Sequence, residues 1–303
     1  MTLLDRTIVR LLPAVPKPVV QLFSSRYIAG STLEDALRVV RRLNGQGKMA
    51  TLAVLGEEIT QESEARAIAQ TYCEVFAAIE SGRLDSNASV KPTALGLDLS
   101  YDLCRENLES VLREAAKSGN FVRIDMEDSS TTSDTLRLYR ELRGKGFENV
   151  GVVLQAYLRR SLDDVRALAD LEPNVRLCKG IYIEPPAIAF TDYDAVRANY
   201  IRCLDALLDA GAYVGVATHD EWLIGQALTR VQRLDPSAYE FQMLLGVREQ
   251  RANELVAAGH RLRVYVPFGE HWYQYSLRRL QENPAMAGTI ARATVGRVLG
   301  RSS

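Results

Sequence analysis

The chain has 303 residues, of which 47% are hydrophobic and 25% are charged, an ordinary composition for a globular protein. Its 37 Lys and Arg residues balance 38 Asp and Glu residues, so no net field favours nucleic acid or an anionic membrane. The four cysteines lie far apart and form no CxxC pair, which argues against a disulfide framework or a zinc site and favours a reducing compartment. No apolar run approaches the roughly 20 residues that a membrane-spanning helix needs.

The first 47 residues are expected to form a helical lead-in that is distinct from the rest of the chain. Residues 1–12 mix Arg6 and Arg10 with apolar residues, and no small-residue cleavage site follows. This pattern is typical of a short amphipathic segment and not of a secretion signal. Three prolines between residues 11 and 18 break any helix there. A single larger domain is therefore predicted to span residues 48–303.

From residue 49 onward, short runs of β-forming residues alternate with longer helical patterns. Eight uninterrupted strand–helix units are typical of an α/β fold that closes into a parallel barrel of the TIM type. An open, doubly wound sheet uses the same alternation, but eight units without a break favour closure. The predicted strands are 49–56, 89–95, 121–126, 150–157, 175–180, 213–218, 239–245 and 261–267.

The predicted helices carry boundary signals of their own. Thr60 or Ser63 is expected to open the helix after the first strand, and Gly82 to close it. Ser161 is expected to precede a helix that has two aspartates in its first turn, where the helix dipole favours anions. Three further glycines stand just before a strand, where helix C-caps belong: Gly119, Gly146 and Gly211.

Polar residues gather at the predicted carboxyl ends of the strands, which is where such barrels carry their chemistry. Five of them are costly inside a barrel unless they are paired or contact a ligand: Lys91, Asp125, Gln155, Arg176 and Lys179. Any one of them taken alone has an equally good explanation as an outward-facing or ion-paired residue, but convergence of the whole set on one face favours a functional site. The set comprises Lys91, Asp125, Glu127, Asp128, Gln155, Tyr157, Arg176, Lys179, Tyr182, Thr218, His219, Asp220, Gln242 and Tyr265.

The segment after the last strand holds an adjacent arginine pair. Tyr275, Arg278 and Arg279 are spaced i, i+3 and i+4, so on a helix they project from nearly the same face. Two planar guanidinium groups suit a bidentate grip on a small carboxylate, and Glu282 lies one turn beyond Arg278. By itself, such a pair is more often part of a solvated helix surface.

Six segments in order resemble the proline dehydrogenase family, including the proline dehydrogenase domain of the bifunctional proline utilisation proteins. The match runs from about residue 48 to 284. Its most specific pieces are RLCKGIYIEP at 176–185 and RVYVPFGEHWYQYSLRRLQENP at 263–284. Supporting pieces are VRIDME at 122–127, VVLQAYLRRS at 152–161, ATHD at 217–220 and FQMLLG at 241–246. The resemblance implies a distorted (βα)8 TIM barrel with extra N-terminal helices, in which the last helix folds over the barrel mouth.

The resemblance also implies an activity, that of a monofunctional bacterial enzyme for the first step of proline catabolism. FAD would accept hydride at N5 as L-proline is oxidised to Δ1-pyrroline-5-carboxylate, and the electrons would pass to a quinone. The product would go to a separate pyrroline-5-carboxylate dehydrogenase, and the location would be cytoplasmic, with peripheral contact with the inner face of the membrane as an alternative. No metal is implied. Because Gly45 and Gly47 precede the first strand, they form no phosphate-binding turn, so FAD would lie along the strand ends.

Roles carry over from the family position by position. The implied catalytic residues are Asp125, beneath the substrate, and Arg176, against the flavin N5/O4 edge together with Gln155. The implied substrate-binding residues, with Lys91 and the arginine pair on the proline carboxylate, are Lys91, Leu177, Tyr182, Leu244, Tyr265, Tyr275, Arg278 and Arg279. The implied cofactor-binding residues are Met126, Gln155, Arg176, Lys179, Gly180, Ile181, Thr218, His219 and Glu282. Two positions depart from the family, which usually has an aliphatic residue at Cys178 and alanine at Ile181.

Three other readings compete with this one. A flavin barrel of the methylenetetrahydrofolate reductase type shares the architecture, but the arginine pair argues against it. A Schiff-base aldolase would use Lys91 or Lys179. A catalytically inactive barrel that serves as a binding module is the alternative from outside the enzymes. A metal-dependent hydrolase is disfavoured because the histidines, His219, His260 and His271, lack ligand spacing.

Overall fold

Eight parallel strands close into one barrel in the computed structural model, which describes residues 26–56, 59–273 and 276. Each strand pairs with its neighbour in chain order, and β8 returns to pair with β1 from Met49↔Arg263 to Val54↔Phe268. The closed eight-stranded barrel that the strand–helix alternation predicts is therefore confirmed. The strands are β1 Met49–Val54, β2 Ser86–Val90, β3 Val122–Ile124, β4 Val150–Gln155, β5 Asn174–Cys178, β6 Tyr213–Ala217, β7 Tyr239–Leu244 and β8 Leu262–Phe268.

Within the described residues, one α-helix precedes β1, and one lies between each consecutive pair of strands. None of the helices within the described ranges is long and apolar enough to cross a membrane. The helix that is predicted to fold over the barrel mouth lies beyond residue 273 and so outside the description. The helices are α1 Leu33–Asn44, α2 Glu62–Ser81, α3 Tyr101–Lys117, α4 Thr132–Gly144, α5 Ser161–Leu168, α6 Tyr193–Asp209, α7 Glu221–Val231 and α8 Glu249–Ala257.

The first helix, α1, belongs to the predicted lead-in and packs against β1 and β8. A capping box fixes its start, because the Thr32 hydroxyl accepts the Asp35 N–H at 3.2 Å and the Asp35 carboxylate accepts the Thr32 N–H at 3.3 Å. Its buried face, which includes Val40 and Leu43, joins the apolar layer between strands and helices. Residues 1–25 of the lead-in lie outside the described residues.

Alternation along the strands separates an apolar layer from a polar interior. Leu52, Val90 and Ile124 are buried in the layer that the helices cover. In contrast, Arg176 on β5 donates to Ser89 on β2, a strand that is not its neighbour, so this hydrogen bond crosses the inside of the barrel. The inward positions therefore carry the polar side chains, and the site is built on them.

The second strand is the one whose predicted position is wrong, since it spans 86–90 and not 89–95. Pro92 has no N–H to give to a sheet, and Thr93–Leu95 form a 3₁₀ turn that ends at Gly96 with φ of 96°. Six of the other predictions ran one or two residues past the observed strand end, and the last fell one residue short. Residues typical of strands thus continue past the points where the ladder ends.

Helix boundaries follow the predicted signals in part. Gly82 caps α2 as predicted, but the N-cap is Gln61, because the Glu64 carboxylate accepts the backbone N–H groups of Thr60 and Gln61. Ser161 is the first residue of α5 and does not precede it. The three glycines before strands are confirmed just after helix ends, with positive φ: Gly119 at 64°, Gly146 at 88° and Gly211 at 70°.

We expect Gly146→Ala to destabilise the fold and Gly225→Ala, its matched control, to stabilise it. A Cβ at either position meets no atom within 4 Å, so only backbone conformation differs. Alanine at φ of 88° costs roughly 1–2 kcal/mol, whereas alanine inside α7 gains about 0.5–1 kcal/mol over glycine. Urea unfolding of the two variants measures both effects. Equal midpoints would contradict a left-handed requirement at Gly146.

Candidate active site

A cavity of about 580 Å³ opens at the carboxyl ends of the strands, a size typical of small-molecule sites. It brings together most of the residues that the sequence places at strand ends, which supports the predicted convergence on one face. The predicted residues that line it are Lys91, Asp125, Met126, Gln155, Arg176, Lys179, Gly180, Ile181, Tyr182, Thr218, His219, Asp220, Gln242, Leu244 and Tyr265. It is also lined by Val153, Cys178, Tyr193, Ala217 and Met243.

The floor of the cavity is a buried ion pair. Arg176 Nη1 lies 2.6 Å from Asp125 Oδ1 and donates as well to Ser89 Oγ at 3.2 Å. Arg176 Nε donates to Gln242 Oε1 at 2.6 Å. Asp125 in turn accepts from Ser89 Oγ at 2.7 Å and from the Tyr265 hydroxyl at 3.0 Å. Strands β2, β5, β7 and β8 and the end of β3 thus hold one connected set of polar atoms.

One donor in this floor has no protein acceptor among the described residues. Arg176 Nη2 is buried and makes no hydrogen bond, although the other two guanidinium nitrogens are fully engaged. A buried charged donor without an acceptor is costly, and such exceptions are found where a ligand completes the bonding. Among these polar atoms of the floor, only Arg176 Nη2 is left without a hydrogen-bond partner.

The loop after β5 forms one wall and needs glycine at position 180. Gly180 has φ of 104°, and a Cβ there would lie 2.0 Å from a ring carbon of Tyr157. Only the bare backbone fits between the Tyr157 ring and the cavity. The next residue, Ile181, is 45% exposed, so a large apolar side chain stands at the rim.

A second polar centre lies at the rim around Asp220, whose side chain is 1% exposed. The carboxylate accepts from Arg197 Nη2 at 2.7 Å, from the Tyr193 hydroxyl at 2.6 Å and from Lys179 Nζ at 3.2 Å. Burial acts to raise the pKa of Asp220, but the bonds from Arg197, Tyr193 and Lys179 outweigh it and hold that pKa well below the ordinary value. The Arg197 guanidinium also packs over the rings of Tyr193 and Trp222, at 4.3 and 5.2 Å.

Backbone bonds fix three further predicted polar side chains. The Leu244 N–H donates to His219 Nε2 at 3.0 Å, so this nitrogen is an acceptor. Gln155 Nε2 donates to the Glu127 carbonyl at 2.6 Å. Thr218 Oγ1 accepts the N–H of Asp220 at 3.1 Å. These contacts hold two side chains that follow β6 and one at the end of β4 in place around the cavity.

Several predicted site residues do not reach the cavity. Leu177, predicted as an apolar wall, is fully buried in the core, because Arg176 and Cys178 on either side of it take the two inward positions of β5. Among the strand-end residues, Glu127 binds the Thr93 hydroxyl at 2.6 Å and N–H at 2.9 Å instead, and burial raises its pKa. Two more lie away from the cavity, Asp128 and Tyr157.

Four predicted site residues lie outside the described residues: Tyr275, Arg278, Arg279 and Glu282. Conversely, the sequence reasoning missed Ser89, Glu240, Tyr193 and Arg197. Asp220 could have pointed to Tyr193 and Arg197, because a carboxylate buried at a strand end needs a cation and donors nearby. Within the described ranges, no group of three or more His, Cys, Asp or Glu side chains is arranged to hold a metal ion.

Comparison with known proteins identifies close relatives. A family model described as proline dehydrogenase matches residues 36–292. Proline dehydrogenase 1 of Bacillus subtilis subsp. natto is 40% identical over 274 residues, which are 90% of each chain. The proline dehydrogenase of Deinococcus radiodurans is 36% identical over 89% of each chain. Among solved structures, proline utilization A from Bdellovibrio bacteriovorus, inactivated by N-propargylglycine, has a TM-score of 0.80 and 28% identity over 86% of this chain and 32% of that one.

We expect Asp220→Asn to lower the free energy of unfolding by about 1–2 kcal/mol near neutral pH. The change removes the buried carboxylate that pairs with Lys179 and Arg197, and solvent screens part of the loss because their side chains are 30% and 24% exposed. Asp194→Asn is the matched control, since Asp194 also pairs with Arg197, at 3.7 Å, but is 86% exposed. The control should have a much smaller effect.

The effect of Asp220→Asn should also depend on pH. The folded pKa of Asp220 lies below its unfolded value of about 3.9, so its stabilisation is complete above that pH and is lost as the pH falls further. Urea unfolding between pH of about 7 and about 3 should therefore show the two proteins converging at the acidic end. A constant difference across that range would contradict an ionised Asp220 as the centre of the cluster.

Proposed function

The chain belongs to the proline dehydrogenase family, and from this premise we propose that its cavity oxidises L-proline to Δ1-pyrroline-5-carboxylate with FAD as the electron acceptor. The observation that carries the proposal is the floor of the cavity, where Arg176 is fixed by Asp125 and keeps one buried donor without a protein acceptor. A cofactor edge rich in acceptor atoms would satisfy that donor. This step of proline catabolism is the one that the names of the relatives describe.

The residues around the cavity fit a flavin dinucleotide. The buried Arg176 donor suits the flavin edge, and Lys179 brings a cation to the rim, where phosphates would lie. Gly180 lines the cavity, and its lack of a side chain lets the loop pack closely on the Tyr157 ring behind it. When bound, FAD supplies the two-electron acceptor for oxidation of the amine. The residues proposed to hold it are Met126, Gln155, Arg176, Lys179, Gly180, Ile181, Thr218, His219 and Glu282.

The substrate would be oriented by its carboxylate. Lys91 lines the cavity, and we propose that it grips the carboxylate together with Arg278 and Arg279, with Glu282 holding the Arg278 guanidinium. Such a clamp converts binding energy into orientation of the ring against the cofactor. The proline amine can be taken up in its neutral form from solution, so no strong base is required.

The walls of the substrate pocket would be aromatic and aliphatic. Tyr182, Leu244 and Tyr265 line the cavity, and Tyr275 is proposed to cover the ring from the segment that carries the arginine pair. The Tyr265 hydroxyl is held by Asp125 at 3.0 Å, which fixes its ring above the floor. Asp125 therefore acts through two neighbours, since it positions both Arg176 and Tyr265.

Beyond the reaction itself, we propose a quinone as the next electron acceptor, reached by peripheral contact with the inner face of the membrane. The product would pass to a separate pyrroline-5-carboxylate dehydrogenase. We also propose that the catalytic domain is residues 48–303 and that residues 1–47 form the lead-in. The electron acceptor, the membrane contact and the partner enzyme rest on the family resemblance, whereas the division of the chain rests on its sequence pattern.

We expect the purified protein to be yellow and to be bleached by L-proline in the absence of oxygen. Arg278→Met or Arg279→Met should raise the half-bleaching concentration roughly ten- to a hundredfold, because a lost charge-assisted bond is worth about 1.5–3 kcal/mol. Arg202→Met on the outer helix α6 is a control that should leave the titration unchanged. A colourless protein in which borohydride traps a carbonyl compound on Lys91 or Lys179 would instead indicate the aldolase. Unshifted titrations in both variants would rule out the clamp.

We expect Arg176→Met to keep FAD bound but to lower its midpoint potential by roughly 30–60 mV. Removing the guanidinium takes away the charge that stabilises the reduced, anionic cofactor, a loss of about 1.5–3 kcal/mol for a two-electron couple. Spectroelectrochemistry measures the shift directly. Asp125→Asn should shift the potential upward, because it removes the negative charge that faces the same guanidinium at 2.6 Å. Potentials equal to that of the unaltered protein in both variants would refute the proposed place of Arg176.

A further inference from the structure

Beneath Arg176, a second layer of buried polar side chains continues the network toward the other end of the barrel. Gln242 Nε2 donates to Glu240 Oε1 at 2.5 Å, and Arg263 Nε donates to the same oxygen at 2.8 Å. The Tyr213 hydroxyl donates to the other Glu240 oxygen at 2.8 Å. Glu240 is 1% exposed, and Gln242 is 5% exposed. The chain of bonds therefore runs without a break from Arg263 through Glu240 and Gln242 to Arg176.

The two ends of this chain fix the orientation of the Gln242 amide. An ionised Glu240 can only accept, so it must face the Gln242 amino group, and the amide oxygen must then face the Arg176 Nε–H. Burial acts to raise the pKa of Glu240, but the charge and hydrogen bond of Arg263, with the bond from Tyr213, outweigh it and keep that pKa below the ordinary value. A flipped amide would set donor against donor and acceptor against acceptor.

The wall of the barrel is built to leave room for this amide. Gly215 on β6 lies opposite Arg176 on one side and Glu240 on the other in the strand register. A Cβ at position 215 would lie 2.6 Å from Gln242 Nε2 and 3.1 Å from its Cδ. Gly215 does not have a positive φ, so it is the approach of the Gln242 side chain that makes the space necessary.

The amide also determines where the last Arg176 donor points. A guanidinium is planar, so bonds at Nε to Gln242 and at Nη1 to Asp125 fix both its plane and its rotation. Nη2 is then held in one direction without a protein partner. The chain of hydrogen bonds from Glu240 through Gln242 to Arg176, here called the relay, sets the orientation of the Arg176 guanidinium. The charge of Glu240 is balanced by Arg263 at 2.8 Å, so Arg176 pairs with a single carboxylate, Asp125.

We propose that Gln242 and Glu240 are positioning residues for the reaction, and that their relay aims the free donor of Arg176 at the bound cofactor. This inference rests on the proposed function, since it takes Arg176 to face the flavin. It goes beyond the proposed function in assigning a role to two residues that are among neither the proposed substrate-binding nor the proposed cofactor-binding residues.

The test compares Gln242→Met, which keeps the size of the side chain but removes both hydrogen bonds, with Gly215→Ala. The second variant alters no polar group. Its Cβ would clash only with the Gln242 amide, since its contact with the Arg176 Cα at 3.6 Å is an ordinary one, so it displaces the amide without deleting it. Gln250→Met on the exposed face of α8 is the control for the loss of a glutamine. Each protein is studied as the FAD-loaded full chain, and FAD content is checked by absorbance.

The first measurement is the ¹H–¹⁵N NMR signal of the Arg176 Nε–H, assigned through its disappearance in Arg176→Lys. In the unaltered protein it should be resolved and slow to exchange, because this N–H is buried and bonded at 2.6 Å. Gln242→Met and Gly215→Ala should shift or broaden it. The second measurement is the midpoint potential, for which we expect roughly a tenfold less favourable reduction equilibrium, equivalent to about 30 mV.

Changes of both signal and potential in the two variants, with Gln250→Met unchanged, support the relay. An unaltered potential in folded, fully loaded Gln242→Met overturns it, and Gly215→Ala decides in the same way if Gln242→Met does not fold. The failure of the proposed function looks different, because Arg176→Met itself would then leave the potential unchanged or L-proline would not bleach the protein. A potential that responds to Arg176→Met but not to Gln242→Met or Gly215→Ala overturns the relay alone.

Discussion

The Arg176–Asp125 ion pair stands inside the barrel, with both side chains about nine-tenths buried, and most of the site is arranged around it. Removing charges from water costs several kcal/mol per ion, so such a pair persists only if its remaining donors and acceptors are also satisfied. Ser89 and Tyr265 meet the needs of Asp125, and Gln242 meets that of the Arg176 Nε–H. The one unmet donor, Nη2, then stands out as the place where a bound molecule completes the set.

A barrel filled with branched apolar side chains would have no room for this buried ion pair and its hydrogen-bond partners. Two strands instead carry glycine at inward positions, and each glycine faces a polar side chain that occupies the space. A Cβ at Gly151 would lie within 2.6 Å of Asn174 O and closer still to Arg123, and one at Gly215 would lie 2.6 Å from Gln242. Arg123 uses that space to reach Asn174 O at 2.6 Å and Val152 O at 3.1 Å. The polar interior therefore depends on these two glycines, whose lack of a side chain leaves room for the polar groups, as well as on the polar side chains themselves.

The sequence predicts the barrel well because apolar alternation is a local signal. It also places Asp125, Arg176 and Gln242 correctly, since residues at strand ends converge once the strands are parallel. Leu177 is predicted as an apolar wall only through a matching segment, and alternation along β5 points its side chain away from Arg176 and into the core. The bonds that complete the floor join residues 51, 66 and 87 positions apart, and no local pattern encodes such pairings.

The second strand and the rim show the same division between local and distant causes. The sequence shows locally that Pro92 ends the β2 ladder, but the apolar residues around it led the strand to be predicted past this point. Arg197 and Tyr193 come from a helix that starts more than 25 residues before Asp220, and only the folded chain brings them to it. The spacing between them and the carboxylate is set by the barrel, so composition and periodicity hold no information on it.

Two separate centres of charge result, and their balance fits the ligands proposed for the cavity. Among the described lining residues, Lys91, Arg176 and Lys179 are cations, whereas Asp125 and Asp220 are anions, each already engaged by several donors. The lining thus has a surplus of positive charge and of hydrogen-bond donors, which favours anionic ligands. L-Proline brings a carboxylate, and a flavin dinucleotide brings phosphates and an edge of acceptor atoms. The floor lies on strands, whereas the rim cluster lies on loops and helix ends. The rigid floor therefore orients the reacting groups, and the rim retains the long cofactor, so different parts of one barrel meet the two requirements.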